Sequence, residues 1–257
     1  MESKYRQLCA LLKKAEKIAV AYSGGVDSTL LLKAAVDSLG FDNVIAVFAR
    51  SVLQKPETVD GALSRVQEFG CTVKVVDISP LSWQSFAVNS PRRCYWCKRE
   101  IYKVFAEAVP GGYRLVDGTN VDDLSQDRPG LKALQELRIK TPLVEVSLTK
   151  KEIRSLSRIL GLSTWDLPSE SCLATRIPTG IPINMDELER VALGERFLSD
   201  LGFQACRVRF EQQGVVIAIH EKDFGLIEDK DLRKQITSFF LNFSHGKVLL
   251  DFSARVG

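Results

Sequence analysis

Short apolar runs alternate with amphipathic stretches of helical length along the first part of the chain. The runs that have the composition of strands are 17–21, 43–49, 72–76 and 114–117. Apolar side chains recur at spacings of three and four, the period of a helix, in the intervening segments 29–39, 57–69 and 95–108. This alternation predicts a parallel β-sheet with helices on both faces.

The pattern changes toward the C-terminus. Thr149 and Glu152 have the spacing of a capping box, which predicts a helix that ends at Gly161. The segment 162–182 contains proline and glycine without a clear period, so it is either a linker or a functional loop. The elements predicted after it are a helix from Asn184 to about Leu201, strands at 205–210 and 215–220, a helical stretch at 224–240 and a strand at 247–252. We therefore predict an α/β domain over 1–168 and a smaller α+β domain over 169–257.

Length and composition exclude several classes of protein. The 257 residues are 45% hydrophobic and 26% charged, which is typical of a folded globular protein. The net charge of +3 is too small to indicate a nucleic-acid partner by itself, and no uncharged apolar run approaches the length that spans a membrane. We expect a cytoplasmic protein, with neither nucleic acid nor membrane as partner, in which the six cysteines are reduced.

A glycine loop lies where the first predicted strand meets its helix. Residues 23–28 read Ser-Gly-Gly-Val-Asp-Ser and follow the strand that ends at Ala21. Such a loop presents backbone N–H groups and the positive end of a helix dipole to an anion. An ordinary turn in which Ser28 caps the helix is the alternative. The loop resembles the SGGxDS signature of the PP-loop ATP pyrophosphatases, which split ATP between the α and β phosphates.

A second polar segment follows a later strand. Residues 117–120 read Asp-Gly-Thr-Asn, and Asp122 and Asp123 come directly after them. Because the carboxyl ends of parallel strands meet at one edge of a sheet, we expect this segment to reach the crevice of the glycine loop. A simple polar turn is the alternative.

Three cysteines stand out from the other three. Cys94 and Cys97 are three residues apart at the start of a predicted helix, where neighbouring cations and the helix dipole favour thiolates. Four interpretations are open for this pair. The cysteines belong to a buried apolar stripe with residues such as Phe105, or they form a redox pair, half of a zinc site or part of an iron–sulfur site. Cys172 lies in a loop among hydroxyl groups and a cation, which favours a functional role.

The rest of the chain offers little for zinc. A closed zinc site needs four ligands, and the chain has no second Cys-x-x-Cys pair. Its two histidines, His220 and His245, are far along the chain. We assign Cys9, Cys71 and Cys206 to packing, because they have no polar or cationic company of this kind.

Several motifs together resemble the LarE family of ATP-dependent sulfur transferases, and the resemblance covers nearly the whole chain. They are the glycine loop, the Asp-Gly-Thr-Asn stretch that runs through 117–130, the Cys172 loop at 168–180, which is the most specific, and Arg-Val-Arg at 207–209. Members supply the sulfur atoms of the nickel-pincer cofactor of lactate racemase and related enzymes. The resemblance implies a parallel sheet of the PP-loop adenine nucleotide alpha hydrolase (HUP-like) type with a smaller α+β C-terminal domain.

The family has two forms, which differ in the source of sulfur. In one form the loop cysteine gives up its own sulfur and ends as dehydroalanine. In the other, two further cysteines join it to hold a [4Fe-4S] cluster whose open iron carries an extra sulfide. Cys94, Cys97 and Cys172 match the second form, and the resemblance is the reason for expecting iron rather than zinc.

The resemblance also implies roles for individual residues. In the implied reaction, a substrate carboxylate is adenylated by ATP with bound Mg²⁺, and sulfur then displaces AMP. The catalytic residues implied are Cys172, Asp27 and Arg176. The residues expected at ATP are Ala21, Ser23, Gly24, Gly25, Val26, Asp27, Ser28, Gly118 and Thr119.

Further residues are assigned to the substrate and to a metal. Arg207 and Arg209, two apart on a predicted strand, share a face and are expected to bind the substrate phosphate, with Arg176 as a second candidate. A solvated strand face is the alternative for the arginine pair. Glu195 matches a metal ligand of the family, although a surface helix explains it equally well.

The implied substrate is pyridinium-3,5-biscarboxylic acid mononucleotide, converted to its thiocarboxylates. The implied partners are a sulfide source and the nickel-insertion and carboxylase enzymes of the same pathway, and we expect a homo-oligomer. The chief alternative is a tRNA-thiolating PP-loop enzyme with an iron–sulfur cluster, although the C-terminal segment has no obvious basic tract. An ammonia-using ligase and a non-enzymatic nucleotide or iron scaffold are further alternatives.

Overall fold

The computed structural model describes residues 2–125, 129–243 and 246–255. The chain divides into two compact units, an N-terminal unit of Met1–Phe86 and Ser90–Leu167 and a C-terminal unit of Ala87–Asn89 and Pro168–Gly257. The main part of the C-terminal unit thus begins one residue before the predicted domain start at 169, and a short insert at 87–89 also belongs to it. The functions assigned to the two predicted domains remain predictions.

Strands and helices alternate along the N-terminal unit as the apolar pattern predicts. Their bounds are α1 (Glu2–Leu12), β1 (Ile18–Ala21), α2 (Val26–Leu39), β2 (Val44–Arg50), α3 (Pro56–Gln67), β3 (Thr72–Asp77), α4 (Gln84–Ala87), α5 (Arg93–Ala108), β4 (Arg114–Asp117), α6 (Val121–Leu124), α7 (Pro129–Glu136), α8 (Pro142–Glu145) and α9 (Lys150–Ile159). Among the helices of the described residues, none combines the length and apolar character that crossing a membrane requires.

The strands of this unit form a parallel sheet in the order β3-β2-β1-β4. The chain builds outward from β1 to β2 and β3, and then returns to the other side of β1 with β4. The register pairs Ala21 at the end of β1 with Asp117 at the end of β4. This reversal of strand order opens a crevice beyond the carboxyl ends of β1 and β4. The predicted α/β fold of the PP-loop type is confirmed.

Both faces of the parallel sheet are covered by apolar side chains. Val20 and Phe48 on one face belong to a large core with Leu30 and Leu31 of α2. Ala19 and Val47 on the other face pack with Phe105 of α5. Burial on both faces explains why the strands read as apolar runs rather than as alternating ones.

The capping box at the start of α9 is confirmed and also joins two distant helices. Thr149 accepts a hydrogen bond from the Glu152 backbone N–H, and the Glu152 carboxylate accepts one from the Thr149 N–H. Lys4 of α1 lies 2.7 Å from Glu152 Oε1. The Lys4 hydrogen bond and the N–H of Thr149 lower the pKa of Glu152 to about 2. The ionised carboxylate therefore stabilises the fold.

The C-terminal unit has the predicted α+β character. A 3-10 turn at Leu173–Arg176 precedes α10 (Met185–Asp200), β5 (Arg207–Glu211), β6 (Gly214–His220), a 3-10 segment at Glu221–Glu228, α11 (Lys230–Leu241) and β7 (Lys247–Arg255). Strand β6 pairs antiparallel with β5 and parallel with β7. The helical stretch predicted over 224–240 is wrong as one element, because Asp229 caps α11 with its side chain and separates it from the 3-10 segment.

The core of this unit lies between one face of the mixed sheet and its helices. Val208, Ile217 and Phe240 are among its buried members, and Cys206 is buried with them. Cys71 is buried in the core of the N-terminal unit, and Cys9 packs against that core. The assignment of these three cysteines to packing is confirmed.

Replacing Gly214 by alanine is expected to destabilise the C-terminal unit. Gly214 has a φ of +139°, and a Cβ there would lie 1.9 Å from the Lys247 carbonyl oxygen. Backbone strain together with this clash predicts a loss of about 2–4 kcal/mol in the free energy of unfolding. Faster hydrogen exchange of the β5–β7 amides would report it. Gly225→Ala is the matched control, because no heavy atom lies within 4 Å of its Cβ position. Equal exchange in the two variants would contradict the prediction.

The contribution of Glu152 is expected to depend on pH. Because its folded-state pKa of about 2 lies below the unfolded value, its stabilisation is complete above the unfolded pKa and is lost as the pH falls toward 2. Since the pair with Lys4 is partly exposed, we expect Glu152→Gln to cost about 1 kcal/mol at neutral pH. Urea denaturation should show this difference at neutral pH and a clearly smaller one near the folded-state pKa. A constant difference would rule out ionisation as the cause.

Candidate functional site

The glycine loop connects β1 to α2, and hydrogen bonds of its own serine hydroxyl groups hold it in place. Gly24 has a φ of +79°, and α2 begins after Gly25. Ser28 Oγ accepts a hydrogen bond from Ser23 N at 3.2 Å and donates one to the Gly25 carbonyl oxygen at 3.2 Å. The helix has no side-chain cap, so the suggestion that Ser28 caps it is wrong. Ser28 instead closes the loop, and the N–H groups at the start of α2 are not capped by a side chain.

Two glycines permit close packing around this loop. A Cβ at Gly24 would lie 2.4 Å from the Cβ of Ala62 in α3. A Cβ at Gly118 would lie 3.1 Å from the backbone nitrogen of Ser28. Strand β4 and the first turn of α2 can approach this closely because residue 118 has no side chain.

Asp27 is bound from two sides by the segments that follow β4. Its Oδ2 lies 2.5 Å from Lys150 Nζ, and its Oδ1 accepts a hydrogen bond from Asn120 Nδ2 at 3.1 Å. The Lys150 backbone N–H also donates to Asp122 Oδ2 at 2.6 Å. The expectation that residues 117–120 reach the crevice of the glycine loop thus agrees with the contacts of Asn120. Asp123 accepts a hydrogen bond from Asn120 N as part of a helix cap.

Asp117 is a buried carboxylate at the end of β4. Its side chain accepts hydrogen bonds from the Thr119 backbone N–H at 2.7 Å and from the Tyr102 hydroxyl, and Lys98 Nζ lies 3.2 Å away. Burial opposes ionisation, but the Lys98 charge and these hydrogen bonds outweigh it and lower the pKa of Asp117. Burial and the nearby Asp117 raise the pKa of Tyr102 well above its ordinary value. The pair is therefore an ionised acid and a neutral phenol.

The cysteine pair lies in the first turns of α5, outside the core. Cys94 is exposed and Cys97 is half-buried, whereas Tyr95, Tyr102 and Phe105 form the buried face of the helix. The buried-stripe interpretation is wrong for these thiols. Lys98, which follows Cys97 directly, forms the ion pair with Asp117. This contact attaches the Cys-x-x-Cys turn to the end of β4.

Cys172 immediately precedes the 3-10 turn of the C-terminal unit. Its side chain is half-buried, and its carbonyl oxygen accepts hydrogen bonds from Thr175 N at 3.0 Å, Thr175 Oγ1 at 2.8 Å and Arg176 Nη1 at 3.0 Å. Among the described residues, no group of three or more His, Cys, Asp and Glu side chains is arranged to hold a metal ion. His245 lies outside the described residues. The cluster of three cysteines remains a prediction.

The insert at 87–89 is hydrogen-bonded to the loop that follows Cys172. Asn89 is fully buried, with a φ of +54°. Its Nδ2 donates to the carbonyl oxygens of Pro178 at 2.8 Å and Ile181 at 2.7 Å, and its own carbonyl accepts from Gly180 N at 2.9 Å. Residues 87–89, which precede α5 along the chain, therefore belong to the C-terminal unit.

The two arginines of β5 lie on the sheet face opposite the buried Val208. Arg207 and Arg209 are both half-buried, and Arg209 Nη1 lies 3.6 Å from Asp251 Oδ2 on β7. Their predicted common face agrees with this register. Their binding of phosphate remains a prediction.

Arg176 and Glu195 differ from their expected settings. Glu195 is fully buried in α10, so the surface-helix alternative is wrong. Arg176 is 4% exposed and forms an ion pair with it at 2.7 Å. A buried, paired guanidinium is poorly suited to receive a phosphate from solvent, and the Glu195 oxygens are engaged by protein donors.

Sequence reasoning missed two lysines of the N-terminal unit that form ion pairs with site carboxylates. Lys98 and Lys150 reach Asp117 and Asp27 from helices that are distant in sequence. The position of Lys98 beside Cys97 and that of Lys150 beside the Thr149 cap were the available signals. Asp127 and Arg128, which belong to the motif at 117–130, lie outside the described residues.

Comparison with known proteins agrees with the geometry. The family model of NAD synthase matches residues 8–93, which include β1, the glycine loop and α2. This match, together with the parallel sheet and its loop at the reversal of strand order, identifies an ATP-dependent enzyme of the PP-loop superfamily. The chain is 34% identical over 242 residues to a pyridinium-3,5-bisthiocarboxylic acid mononucleotide synthase of Lactiplantibacillus plantarum, covering 93% of this chain and 88% of that protein. The chain belongs to the LarE family of ATP-dependent sulfur transferases.

Two further relatives mark the extent of the similarity. An uncharacterized protein of Synechocystis is 35% identical over 254 residues, 98% of this chain and 94% of that protein. An NH(3)-dependent NAD(+) synthetase of Pyrobaculum aerophilum is 38% identical over 74 residues, 29% of this chain and 27% of that protein. The likeness to NAD synthetases is thus confined to a part of the chain, whereas the likeness to the sulfur transferase spans nearly all of it.

Gly118→Ala is expected to weaken ATP binding about tenfold, which corresponds to about 1.4 kcal/mol. The added methyl group would press on the backbone of Ser28 and displace the first turn of α2. Calorimetric titration with a non-hydrolysable ATP analogue would measure the change. Gly111→Ala is the control, because its Cβ position has no heavy atom within 4 Å. The same affinity in both variants would show that the close approach is not needed for binding.

Proposed function

We propose that this protein adenylates the carboxylates of pyridinium-3,5-biscarboxylic acid mononucleotide and replaces AMP with sulfur, giving thiocarboxylates for the nickel-pincer cofactor. The similarity to the Lactiplantibacillus synthase over 93% of the chain supports this choice of substrate. We further propose that Cys94, Cys97 and Cys172 bind a [4Fe-4S] cluster. The observation that supports sulfur chemistry beside the ATP loop is the ion pair between Lys98 and Asp117.

Adenylation is assigned to the crevice at the ends of β1 and β4. A free carboxylate is a poor acyl donor, because oxide is a poor leaving group, and joining it to AMP provides a good one. The N–H groups at the start of α2, which no side chain caps, and the ammonium group of Lys150 stabilise the negative charge of the phosphates. Asp27 is the candidate ligand of the Mg²⁺ that accompanies ATP, and its present partners are Lys150 and Asn120.

The contact between Lys98 and Asp117 supports assigning the cysteine pair to the same crevice. Asp117 ends the strand that lies beside β1, and the glycine loop follows β1 directly. Lys98 follows Cys97 and lies 3.2 Å from Asp117 Oδ2. A sulfur atom bound at the start of α5 would therefore lie near the carboxylate that ATP activates.

Chain connectivity supports the participation of Cys172. Asn89 is bonded to the 178–181 segment, which begins six residues after Cys172, and Cys94 follows Asn89 by five residues. A short stretch of chain thus links the cysteine pair to the unit that contains Cys172.

The chemistry of the three thiols suits an iron–sulfur site. They are not core residues, and Cys94 and Cys97 lie at a helix start. When bound by three thiolates, a [4Fe-4S] cluster has one iron without a protein ligand and supplies an exchangeable sulfide there.

Substrate recognition is assigned to the C-terminal unit. Arg207 and Arg209 provide two guanidinium groups on one sheet face for the phosphate of the mononucleotide. A sulfide source and the nickel-insertion and carboxylase enzymes of the same pathway are the proposed partners, and the proposed assembly is a homo-oligomer.

Cys97→Ala is expected to abolish the cluster and multiple turnover. Protein purified without oxygen and reconstituted with iron and sulfide should be brown and should convert ATP and the mononucleotide into AMP, pyrophosphate and thiocarboxylate. The variant should lose the visible absorbance, because two thiolates no longer enclose the cluster. Absorption spectra, iron content and product per protein chain are the measurements.

Cys9→Ala controls for the loss of a thiol, because Cys9 packs against the core. It should keep both colour and turnover. If Cys97→Ala stays fully active and Cys172 becomes dehydroalanine in its mass spectrum, the cluster proposal fails while membership of the family stands.

A further inference from the structure

Each of the three guanidinium nitrogens of Arg176 donates a hydrogen bond within the C-terminal unit. Its Nε and Nη2 donate to the Glu195 carboxylate at 2.7 and 3.1 Å. Its Nη1 donates to the carbonyl oxygens of Ser171 at 2.7 Å and Cys172 at 3.0 Å. With 4% of its surface exposed, the side chain is enclosed by the loop that contains Cys172.

Glu195 extends this connection to the strand of the substrate arginines. It is fully buried, and its Oε1 also accepts a hydrogen bond from the backbone N–H of Val208 at 3.2 Å. Val208 stands between Arg207 and Arg209 on β5. The carbonyl groups at the Cys172 loop are thus linked through Arg176 and Glu195 to the backbone of β5.

The energetics of a buried ion pair favour a fixed arrangement. Removing one partner would leave an uncompensated charge in the interior, which is strongly destabilising. Arginine suits this place because its planar fork can serve the carboxylate and the two carbonyl groups at once. The negative charge of Glu195 neutralises the guanidinium, so little attraction remains for a substrate phosphate.

We propose that Arg176 and Glu195 are positioning residues, which fix the Cys172 loop relative to the arginine pair of β5 so that sulfur transfer takes place at a defined position. This inference rests on the proposed function of Cys172. Adenylation, assigned to the N-terminal unit, does not depend on the pair.

Arg176→Lys retains the positive charge, but lysine lacks the planar guanidinium that contacts the carboxylate and the two carbonyl groups at once. Displacement of the loop is expected to lower thiocarboxylate formation about a hundredfold, because small misplacements of reacting groups have effects of this size. Substrate-dependent exchange of pyrophosphate into ATP, which measures adenylation, should stay within about twofold, and so should the KM for the mononucleotide. Arg190→Lys, the same change at a residue that pairs with Glu187, should leave all these values unchanged.

A double variant, Arg176→Met with Glu195→Gln, guards against simple unfolding. It removes both buried charges and keeps a carbonyl oxygen for the Val208 N–H. In iron-free protein, we expect iodoacetamide to alkylate its Cys172 about tenfold faster, and the amides of Thr175 and Ile177 to exchange faster, while the β5–β7 amides keep their protection. Peptide mass spectrometry measures both quantities.

Two results would overturn the proposal. A higher KM for the mononucleotide with unchanged kcat in Arg176→Lys would make Arg176 a phosphate ligand. Wild-type rates of sulfur transfer and of Cys172 alkylation in the double variant would show that the pair does not position the loop. Cys172→Ala separates this failure from that of the proposed function, because normal thiocarboxylate formation in that variant would remove Cys172 from the reaction altogether.

Discussion

The close approach of β4 to the first turn of α2 determines the geometry of the N-terminal unit. Gly118 lies against the backbone of Ser28, and this places Asn120 within hydrogen-bond distance of Asp27. The approach is possible because the strand order reverses between β1 and β4, so that the two carboxyl ends stand side by side. The glycine loop, the Asp27 contacts and the buried Asp117 all follow from this neighbourhood.

Buried charges occur in both units, and two of them, Asp117 and Arg176, are each paired with an opposite charge. Asp117 has Lys98 and hydrogen-bond donors around it, and Arg176 has Glu195. A charge in the interior is tolerated only with such partners, so each pair holds the segments that supply it in one arrangement. In the N-terminal unit, the segments are β4 and the cysteine-bearing turn of α5. In the C-terminal unit, they are the Cys172 loop, α10 and β5.

Much of the fold was predictable because its signals are local. The apolar runs of the parallel strands, the Thr149 capping box and the glycine loop each lie within a few consecutive residues. The break at Asp229 was missed because the helical period continues on both sides of it, although its side chain caps a new helix. Glu195 was misjudged as a possible surface residue because its partner Arg176 lies in a loop with no regular period.

The sequence by itself determined the class of protein, since the order of strands, the spacing of the glycine loop and the similarity to sulfur transferases are properties of the chain. The tertiary structure decided which charges meet. Lys98 with Asp117, Lys150 with Asp27 and Arg176 with Glu195 are pairs of residues between 19 and 123 positions apart. No local pattern specifies such partners, because the pairing depends on which segments the packed core brings together and on the high free-energy cost of leaving a buried charge alone.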